Sequence, residues 1–282
     1  MKPRLVWRKT VNAVMLSLTA VCTVITVAAL FVILGYLLYN GSKSLDWNFF
    51  VKLPLSPGEL GGGMANAIVG SVQIVGLAAL IGLPVGFLAG VYLSEFEDKA
   101  FASVVRYVAD LLNGVPSIVV GIVAWALVVV PMRQFTALAG AIALAVMLIP
   151  IVTRQTEQFL REVPNSLREG ALALGASKWR MIATVAVPAG SKGIVTGMIL
   201  GVARIAGESA PLLFTSLGNQ FWGGLTQPTA ALPVMIYQRA MSPYDDWHRQ
   251  AWAAGLVLIA LVLIANVAAR LVLARGVSVP RM

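Results

Sequence analysis

Long apolar stretches dominate this chain of 282 residues and limit what it can fold into. They lie at residues 12–39, 65–93, 104–131, 135–152, 193–218 and 250–273. Each approaches or exceeds the ~20 residues that a helix needs to cross a hydrocarbon core of about 30 Å. Only 12% of the residues are charged and the mean hydropathy is +0.84, far from the values of soluble domains. We therefore expect an all-α membrane protein in which residues 1–282 form one transmembrane domain with six transmembrane helices.

The positions of lysine and arginine predict the orientation of these helices. If the N-terminus is cytoplasmic, 15 of the 21 Lys and Arg residues lie on the cytoplasmic side, 5 lie outside and Arg204 lies within a helix. Because these residues accumulate on the cytoplasmic side of membrane proteins, both termini are expected in the cytoplasm. The basic N-terminus precedes an apolar stretch that is too long for a signal peptide, so we expect a retained helix there.

Composition excludes several other classes of protein. The net charge of +9 does not indicate nucleic-acid binding, because no basic run is interleaved with aromatic residues. Cys22 is the only cysteine and His248 the only histidine, so neither an intrachain disulfide nor a metal site is expected. An intramembrane enzyme would need its nucleophile and base from Ser209, Asp110 or Glu208, but no hydrolase or protease motif surrounds them.

The cytoplasmic connection at residues 153–192 is long for a compact bundle, and its sequence predicts ordered structure. Ser166 and Glu169 fit a capping box, Gly175 is placed to end the first short helix, and Ser177 is placed to cap a second one. A basic face then suits a groove on a partner protein, and a helix lying on anionic lipid is the alternative. The residues of this face are Arg168, Lys178 and Arg180.

Residues 169–188, EGALALGASKWRMIATVAVP, resemble the EAA loop of ABC importer permeases. The residues that fall on the family pattern are Glu169, Ala171, Gly175 and Pro188; those that depart from it are Gly170, Val185 and Val187. The resemblance implies that this loop, opened by Ser166, couples the chain to an ATPase. The chain has no Walker A motif, so ATP and magnesium are expected on a partner subunit and no cofactor is expected here.

The fifth apolar stretch carries two charges within the membrane. Gly193, Gly197, Gly201, Arg204 and Glu208 fall within a sector of about 80° on a helix, so we expect them to share a face. Glycines at this spacing let another helix approach closely, which indicates a face turned toward protein. Counted from Gly193 at 1.5 Å per residue, Arg204 lies about 16 Å deep, close to the middle of the membrane.

Two interpretations of this charge pair remain open. Arg204 can offer charge and a planar set of donors to an oxyanion, with Glu208 holding the guanidinium when the path is empty. Alternatively, the pair is a salt bridge that fixes helix packing. Asp110, Asn113 and Ser117 lie near Pro116 in the third stretch and either line the same path or serve as caps and interhelical hydrogen-bonding groups.

Residues 203–215, ARIAGESAPLLFT, are similar to the Ala-Arg-Ala-x-Gly-Glu-Thr-Ala-Pro-Leu signature of the PstA family of phosphate ABC transporter permeases, with Ser209 in place of threonine. Residues 112–122, LNGVPSIVVGI, also resemble that family. The resemblance implies the type I ABC importer permease fold in a prokaryotic inner membrane. It further implies a heterodimer with a PstC-like permease, two copies of a PstB-like ATPase and a PstS-like phosphate-binding protein.

Other assignments remain possible at this stage. A PstC-type permease, or a permease for sulfate or molybdate, is compatible with the residues themselves, because phosphate rests on the resemblance alone. A passive channel or scaffold subunit is the alternative from another class, although such a protein would not require the docking loop at residues 153–192.

Overall fold

The fold is built from helices, and the computed structural model describes residues 3–56, 58–59, 61–96 and 100–276. In chain order the helices are α1 (Pro3–Ser42), α2 (Trp47–Val51), α3 (Ala65–Glu95), α4 (Ala100–Gly114), α5 (Ser117–Ala124), α6 (Val130–Met132), α7 (Ala137–Arg161), α8 (Asn165–Ala173), α9 (Lys178–Met181), α10 (Val187–Ala206), α11 (Ala210–Thr215), α12 (Leu232–Ala240) and α13 (Asp245–Gly276). Across these ranges no strand forms, and the one β-type pairing is an isolated bridge between Leu217 and Thr229. The prediction of an all-α protein is confirmed.

Within the described residues, five continuous helical segments are long and apolar enough to cross a membrane. They are Trp7–Ser42, Ala65–Glu95, Ala137–Arg161, Lys178–Ala206 and Asp245–Leu271. The fourth of these segments joins α9 and α10 into one continuous helical run. We call residues 165–181, which contain α8, the turn after it and α9, the α8–α9 connection. The predicted total of six spans is reached when α4 and the following segment, Ser117–Met132, count together.

The third predicted span differs from a straight helix. Helix α4 and the segment Ser117–Met132 are bent by 104° relative to each other, at Val115 and Pro116. Proline has no amide hydrogen to donate and it pushes the residue before it away from helical dihedral angles. Gly114, the last residue of α4, adds backbone freedom at the same place. The prediction of one uninterrupted helix over residues 104–131 is therefore wrong.

Two other prolines are accommodated by widened helical turns. Trp125–Val129 and Ile182–Ala186 form π-helical turns, and each is followed two residues later by a proline, Pro131 and Pro188. A π-helical turn adds one residue to the helix and shifts its hydrogen bonds from the fourth to the fifth preceding carbonyl. Both helices continue through the proline after this adjustment.

Helix α7 is the centre of the bundle and packs between α3 and α10. A Cβ added at Gly86 of α3 would lie 2.8 Å from the Ile149 carbonyl oxygen, and one added at Gly90 would lie 2.6 Å from the Thr153 carbonyl oxygen. Such close backbone approach is how small residues hold transmembrane helices together, since lipid offers no hydrophobic drive for their association. Leu144, Leu148 and other apolar side chains of α7 fill the shared core.

The two connections predicted to lie outside the cell form one cap at one end of the bundle. Phe49 of α2 and Met64 at the start of α3 pack with Leu232 and Met235 of α12 and with Ala254 of α13. The α8–α9 connection lies at the other end, where Arg168 pairs with Glu95 at the end of α3. This arrangement agrees with the alternating directions that the spans require.

Helix α1 stands largely apart from the rest of the chain. None of the residues in its most apolar window is buried. Its contacts with α13 lie near its C-terminal end, where the Tyr36 and Trp252 rings meet edge to face, 5.2 Å apart. Gly41 lies close against Leu256 in the same contact.

Candidate functional site

The glycine face of α10 packs against α7, as its spacing predicts. A Cβ at Gly197 would lie 2.7 Å from the Gln155 Cβ, and one at Gly201 would lie 3.0 Å from a Leu148 methyl carbon. A Cβ added at Gly193 would overlap the Phe159 ring, so a side chain there would require the ring to move. All three glycines thus lie where α10 contacts α7, the centre of the bundle.

The helix ends at the predicted charge pair instead of running through it. Helix α10 stops at Ala206, Gly207 caps it, and α11 begins at Ala210. Pro211 lies in the first turn of α11, where its missing amide hydrogen costs nothing, but it would clash with the carbonyl of Gly207 in a continuous helix. The prediction of one helix over residues 193–218 is therefore wrong, and the break exposes backbone in the middle of the predicted span.

Arg204 and Glu208 are consequently not paired. Arg204 lies in the last turn of α10 with an exposed side chain, while Glu208 lies in the break and is partly buried. Among the residues that the structure describes, no ion pair joins the two side chains, because the break removes the helical spacing that would have stacked them. The shared face predicted for the glycines and both charges thus ends before Glu208.

The second broken helix lies directly beside the first. A Cβ added at Gly121 of α5 would lie 2.7 Å from the Cα of Pro211. Gly121 is four residues from Ser117, the first residue of α5, and Pro211 is next to Ala210, so each break lies within about 6 Å of this contact along its helix. Ser117 is partly buried there, and Asn113, near the end of α4, is exposed. The structure thus brings two helix breaks together.

Asp110 forms an ion pair with a residue other than Arg204. Its Oδ1 lies 2.9 Å from the Nε of Arg154 on α7. Arg154 also forms an ion pair with Glu157, whose side chain is 2% exposed. Glu157 forms two further ion pairs, with Arg106 at 2.8 Å and with Arg161 at 3.2 Å. We call these five side chains the α4–α7 charge cluster. It ties α4 to the end of α7 that leads into α8.

The sequence analysis missed Glu157, although its surroundings carried a signal. Arg154 and Arg161 lie three residues before and four residues after Glu157, the spacing at which charges meet on one helix face. Arg106 comes from α4 and could not have been assigned without the fold. A carboxylate as buried as Glu157 requires such partners, because an unpaired buried charge costs several kcal/mol.

The α8–α9 connection is ordered by its turn, as predicted. Gly175 has φ of +84°, in the left-handed region that favours glycine. Its amide donates to the Leu172 carbonyl at 2.9 Å, and the Ala176 amide donates to the Ala171 carbonyl at 3.2 Å. This pair of bonds is the Schellman motif that ends many helices. Ser177 then caps α9 by accepting from the Arg180 amide. The structural predictions for Gly175 and Ser177 are confirmed.

The predicted capping box at Ser166 and Glu169 does not form. Helix α8 begins at Asn165 after Pro164, so Ser166 lies inside its first turn and makes no cap bond. Pro164 sets the extended dihedral angles that the cap position needs, which moves the start of the helix ahead of the serine. Glu169 and Gly170 are exposed on α8, and Pro188 is exposed at the start of α10.

Two of the three basic residues predicted to face a partner instead hold the connection onto α3. Arg168 pairs with Glu95 and donates to the Leu160 carbonyl at 2.6 Å. The Lys178 ammonium donates to the Glu95 carbonyl at 2.7 Å and lies 4.0 Å from the centre of the Phe96 ring. Arg180 is exposed. These contacts explain how the α8–α9 connection keeps its shape outside the membrane.

The connection also exposes large apolar side chains. No residue of α8 is buried, and the side chain of Leu174 is 90% exposed. Trp179 on α9 is 70% exposed. Single exposed apolar residues are common, but these two lie five residues apart, on either side of the turn that Gly175 fixes. The connection thus presents an ordered apolar surface away from the bundle.

Comparison with known proteins places these features in one family. Residues 82–276 match the family described as "Binding-protein-dependent transport system inner membrane component". The chain is 45% identical over 271 residues to the phosphate transport system permease protein PstA of Yersinia pestis, covering 95% of this chain and 92% of that protein. It is also 45% identical to the protein of the same name from Haemophilus influenzae, with 95% of each chain covered.

Solved structures share the fold. A bacterial alginate ABC transporter, solved with an alginate-bound periplasmic protein, contains a chain that is 16% identical with a TM-score of 0.67, covering 93% of this chain and 95% of that one. The inward-facing MetNI methionine ABC transporter contains a chain that is 17% identical with a TM-score of 0.62, covering 75% of this chain and 96% of that one. The family match and the 45% identity to these permeases show that the chain belongs to the family of binding-protein-dependent transport system inner-membrane components.

Proposed function

We propose that this chain is a membrane-spanning permease subunit of an ATP-driven phosphate importer and forms half of its translocation path. The observation that carries this proposal is the exposed Arg204 beside two adjoining helix breaks. Half-helices that end inside a membrane leave backbone groups for a substrate, and an arginine there supplies charge for an anion. The 45% identity to proteins named phosphate transport system permease PstA supports phosphate over other oxyanions.

Arg204 contacts the anion during its passage. An arginine near the middle of a membrane costs about 2.5 to 3.5 kcal/mol on insertion scales, and no carboxylate of the described residues pairs with Arg204, so another group must compensate its charge. Glu208 lies one turn away in the break and is not bonded to it. Asn113 and Ser117 lie at the neighbouring break and supply polar groups to the same path. Asp110 acts through Arg154, as part of the α4–α7 charge cluster.

ATP with magnesium is bound and hydrolysed by a partner subunit. The α8–α9 connection offers the surface for that partner, with Leu174 and Trp179 exposed. Ser166, Glu169, Gly170 and Ala171 belong to the same short helix, and Pro188 begins the membrane-spanning helix that follows. The assembly consists of this chain with a PstC-like permease, two copies of a PstB-like ATPase and a PstS-like phosphate-binding protein.

A double-mutant cycle on phosphate uptake tests the role of Arg204. Arg204→Gln keeps hydrogen bonding but removes the charge, so uptake into vesicles should fall at least a hundredfold while the assembled complex stays near its normal amount. Glu208→Gln should reduce uptake less than tenfold, and the double variant should remain as inactive as Arg204→Gln. Lys192→Gln, which removes an exposed charge nearer the start of the same helix, is the matched control and should transport normally.

Three results would contradict the proposal. Recovery of uptake in the double variant would mean that Arg204 and Glu208 pair structurally in the assembled complex, because two neutral residues would then relieve the charge that each single variant leaves unpaired. Uptake of sulfate or molybdate in preference to phosphate would assign another oxyanion. Purification of the chain without an accompanying ATPase, with uptake independent of ATP, would favour a passive channel.

A further inference from the structure

A cavity with an unpaired buried arginine lies outside the predicted membrane spans. It has a volume of about 350 Å³ and lies between the connection that follows α11, helix α12 and the start of α13. Its lining includes Arg239, Gln238, Asn219, Gln220, Phe221 and Trp247. The distribution of lysine and arginine along the chain assigns this end of the bundle to the external side.

Arg239 is buried without a counter-ion. Its side chain is 2% exposed, and its Nε and Nη1 atoms are buried without a hydrogen-bond acceptor. Its guanidinium carbon lies 5.0 Å from the centre of the Trp247 ring, a cation–π contact that covers one face of the group. Within the described part of the chain, no carboxylate lies within 4 Å of it. Burial lowers the pKa of Arg239 to about 10, so the group remains charged at neutral pH.

The surroundings of Arg239 favour an anion. Among the described residues that line the cavity there is no aspartate or glutamate, whereas Gln220 and Gln238 bring exposed amide groups to it. Asp246 attracts Arg239 from a greater distance and raises its pKa slightly against the effect of burial. However, its Oδ2 already accepts a hydrogen bond from Gln250 Nε2 at 2.8 Å. The Nε and Nη1 donors of Arg239 are therefore unused, although this arginine lines a cavity large enough for a ligand.

We propose that this cavity binds a small oxyanion at the external entrance of the path, before the anion reaches Arg204. The volume corresponds to roughly ten water molecules, enough for a tetrahedral oxyanion that keeps part of its hydration. A buried guanidinium with no acceptor is costly, and an anion that accepts from it removes that cost. The identity of the anion as phosphate rests on the proposed function, whereas the site itself rests on Arg239.

Equilibrium binding to the intact complex in lipid nanodiscs, without the external binding protein, tests the site. Radiolabelled inorganic phosphate is used in the Arg204→Gln background, which leaves the external cavity intact. Arg239→Met should weaken phosphate binding at least tenfold. Arg249→Gln removes an exposed charge on the same side and should change binding less than twofold. Sulfate is tested in parallel, so that a site for another oxyanion is detected even if phosphate is not the transported anion.

Thermal unfolding separates a binding role from a structural one. Phosphate should raise the Tm of the parent complex and leave that of Arg239→Met unchanged, because only a ligand bound to the folded state stabilises it. In the absence of phosphate, Arg239→Met should unfold at the same or a higher temperature. Equal phosphate-dependent shifts in the two proteins, or no binding of either anion, would overturn the proposal. A third result would also overturn the proposal: a rise in the Tm of the complex that requires Arg239 but occurs only when the external binding protein is added. The group bound by Arg239 would then be a carboxylate of that protein.

Discussion

Helices α7 and α1 are both long and apolar enough to cross a membrane, but their surroundings are opposite. In the most apolar window of α7, 61% of the residues are buried, whereas in that of α1 the share is 0%. Helix α7 meets glycines on two sides, from α3 and from α10, and its end carries the α4–α7 charge cluster. Helix α1 touches α13 near one end and leaves the rest of its surface uncovered.

The difference shows which helix contacts are made within this chain and which surfaces remain for lipid or other subunits. Close helix packing in a membrane requires backbone approach or polar contacts, since apolar side chains gain nothing by leaving lipid. Helix α7 has both kinds of contact within one chain. The apolar window of α1 has no residue buried by the described part of the chain, and the α8–α9 connection exposes Leu174 and Trp179, so we expect lipid or other subunits to cover these surfaces.

The largest effect is expected where a side chain would break the contact between α3 and α7. Gly86→Leu places its Cβ within 2.8 Å of the Ile149 carbonyl oxygen, where backbone cannot give way. We expect a loss of about 3 kcal/mol or more, or no folded protein. Gly76→Leu on the same helix is the matched control, because nothing lies within 4 Å of its Cβ. The measurement is the yield and Tm of monodisperse chain, and equal values for the two variants would break the comparison.

An intermediate and local effect is expected at the α8–α9 turn. Gly175→Ile puts a β-branched residue at φ of +84°, which costs about 1 to 2 kcal/mol and disturbs the turn. The chain should still insert, but copurification of the ATPase and phosphate uptake should fall severalfold. Gly170→Ala on α8 is the control, since its Cβ meets nothing within 4 Å and alanine favours the helix by about 1 kcal/mol. Full ATPase recovery with Gly175→Ile would remove the turn from the docking surface.

The smallest effect is expected on the bare surface of α1. Phe31 is 69% exposed, so Phe31→Ala should change the Tm of the chain by less than about 1 °C when the chain is purified alone. The Tm of Phe31→Ala is then measured in the assembled complex. A lower Tm in the complex, with none in the chain alone, would show that a partner subunit contacts α1. A large loss of stability in the chain alone would contradict the view that α1 is uncovered.

The sequence predicted the features that depend on local spacing. The four-residue repeat of Gly193, Gly197 and Gly201 gave the face that packs on α7, and Gly175 gave the left-handed turn. Both follow from rules that involve neighbouring residues only. The apolar stretches predicted the helical spans for the same reason, with boundaries that shifted by several residues where helices continue beyond the apolar core.

Features that depend on the whole fold were not predictable. Pro84 and Pro150 lie inside continuous helices, while Pro116 and Pro211 mark breaks, so a proline alone does not reveal which outcome occurs. Neighbouring structure decides whether the freed carbonyl finds another partner. Arg168 and Glu95 are 73 residues apart, and only the folded arrangement of the chain brings them together. The same holds for the burial of Arg239.

We infer that the continuous helix from Lys178 to Ala206 can carry a movement from the α8–α9 connection to the helix breaks. Trp179 lies near one end of this helix, outside the membrane, and Arg204 lies near the other, beside the breaks. From Trp179 to Arg204 the helix measures about 38 Å, so a tilt of about 5° displaces one end relative to the other by about 3 Å. That displacement equals the length of one hydrogen bond, and a modest push on the cytoplasmic end is enough to make or release a contact with an anion.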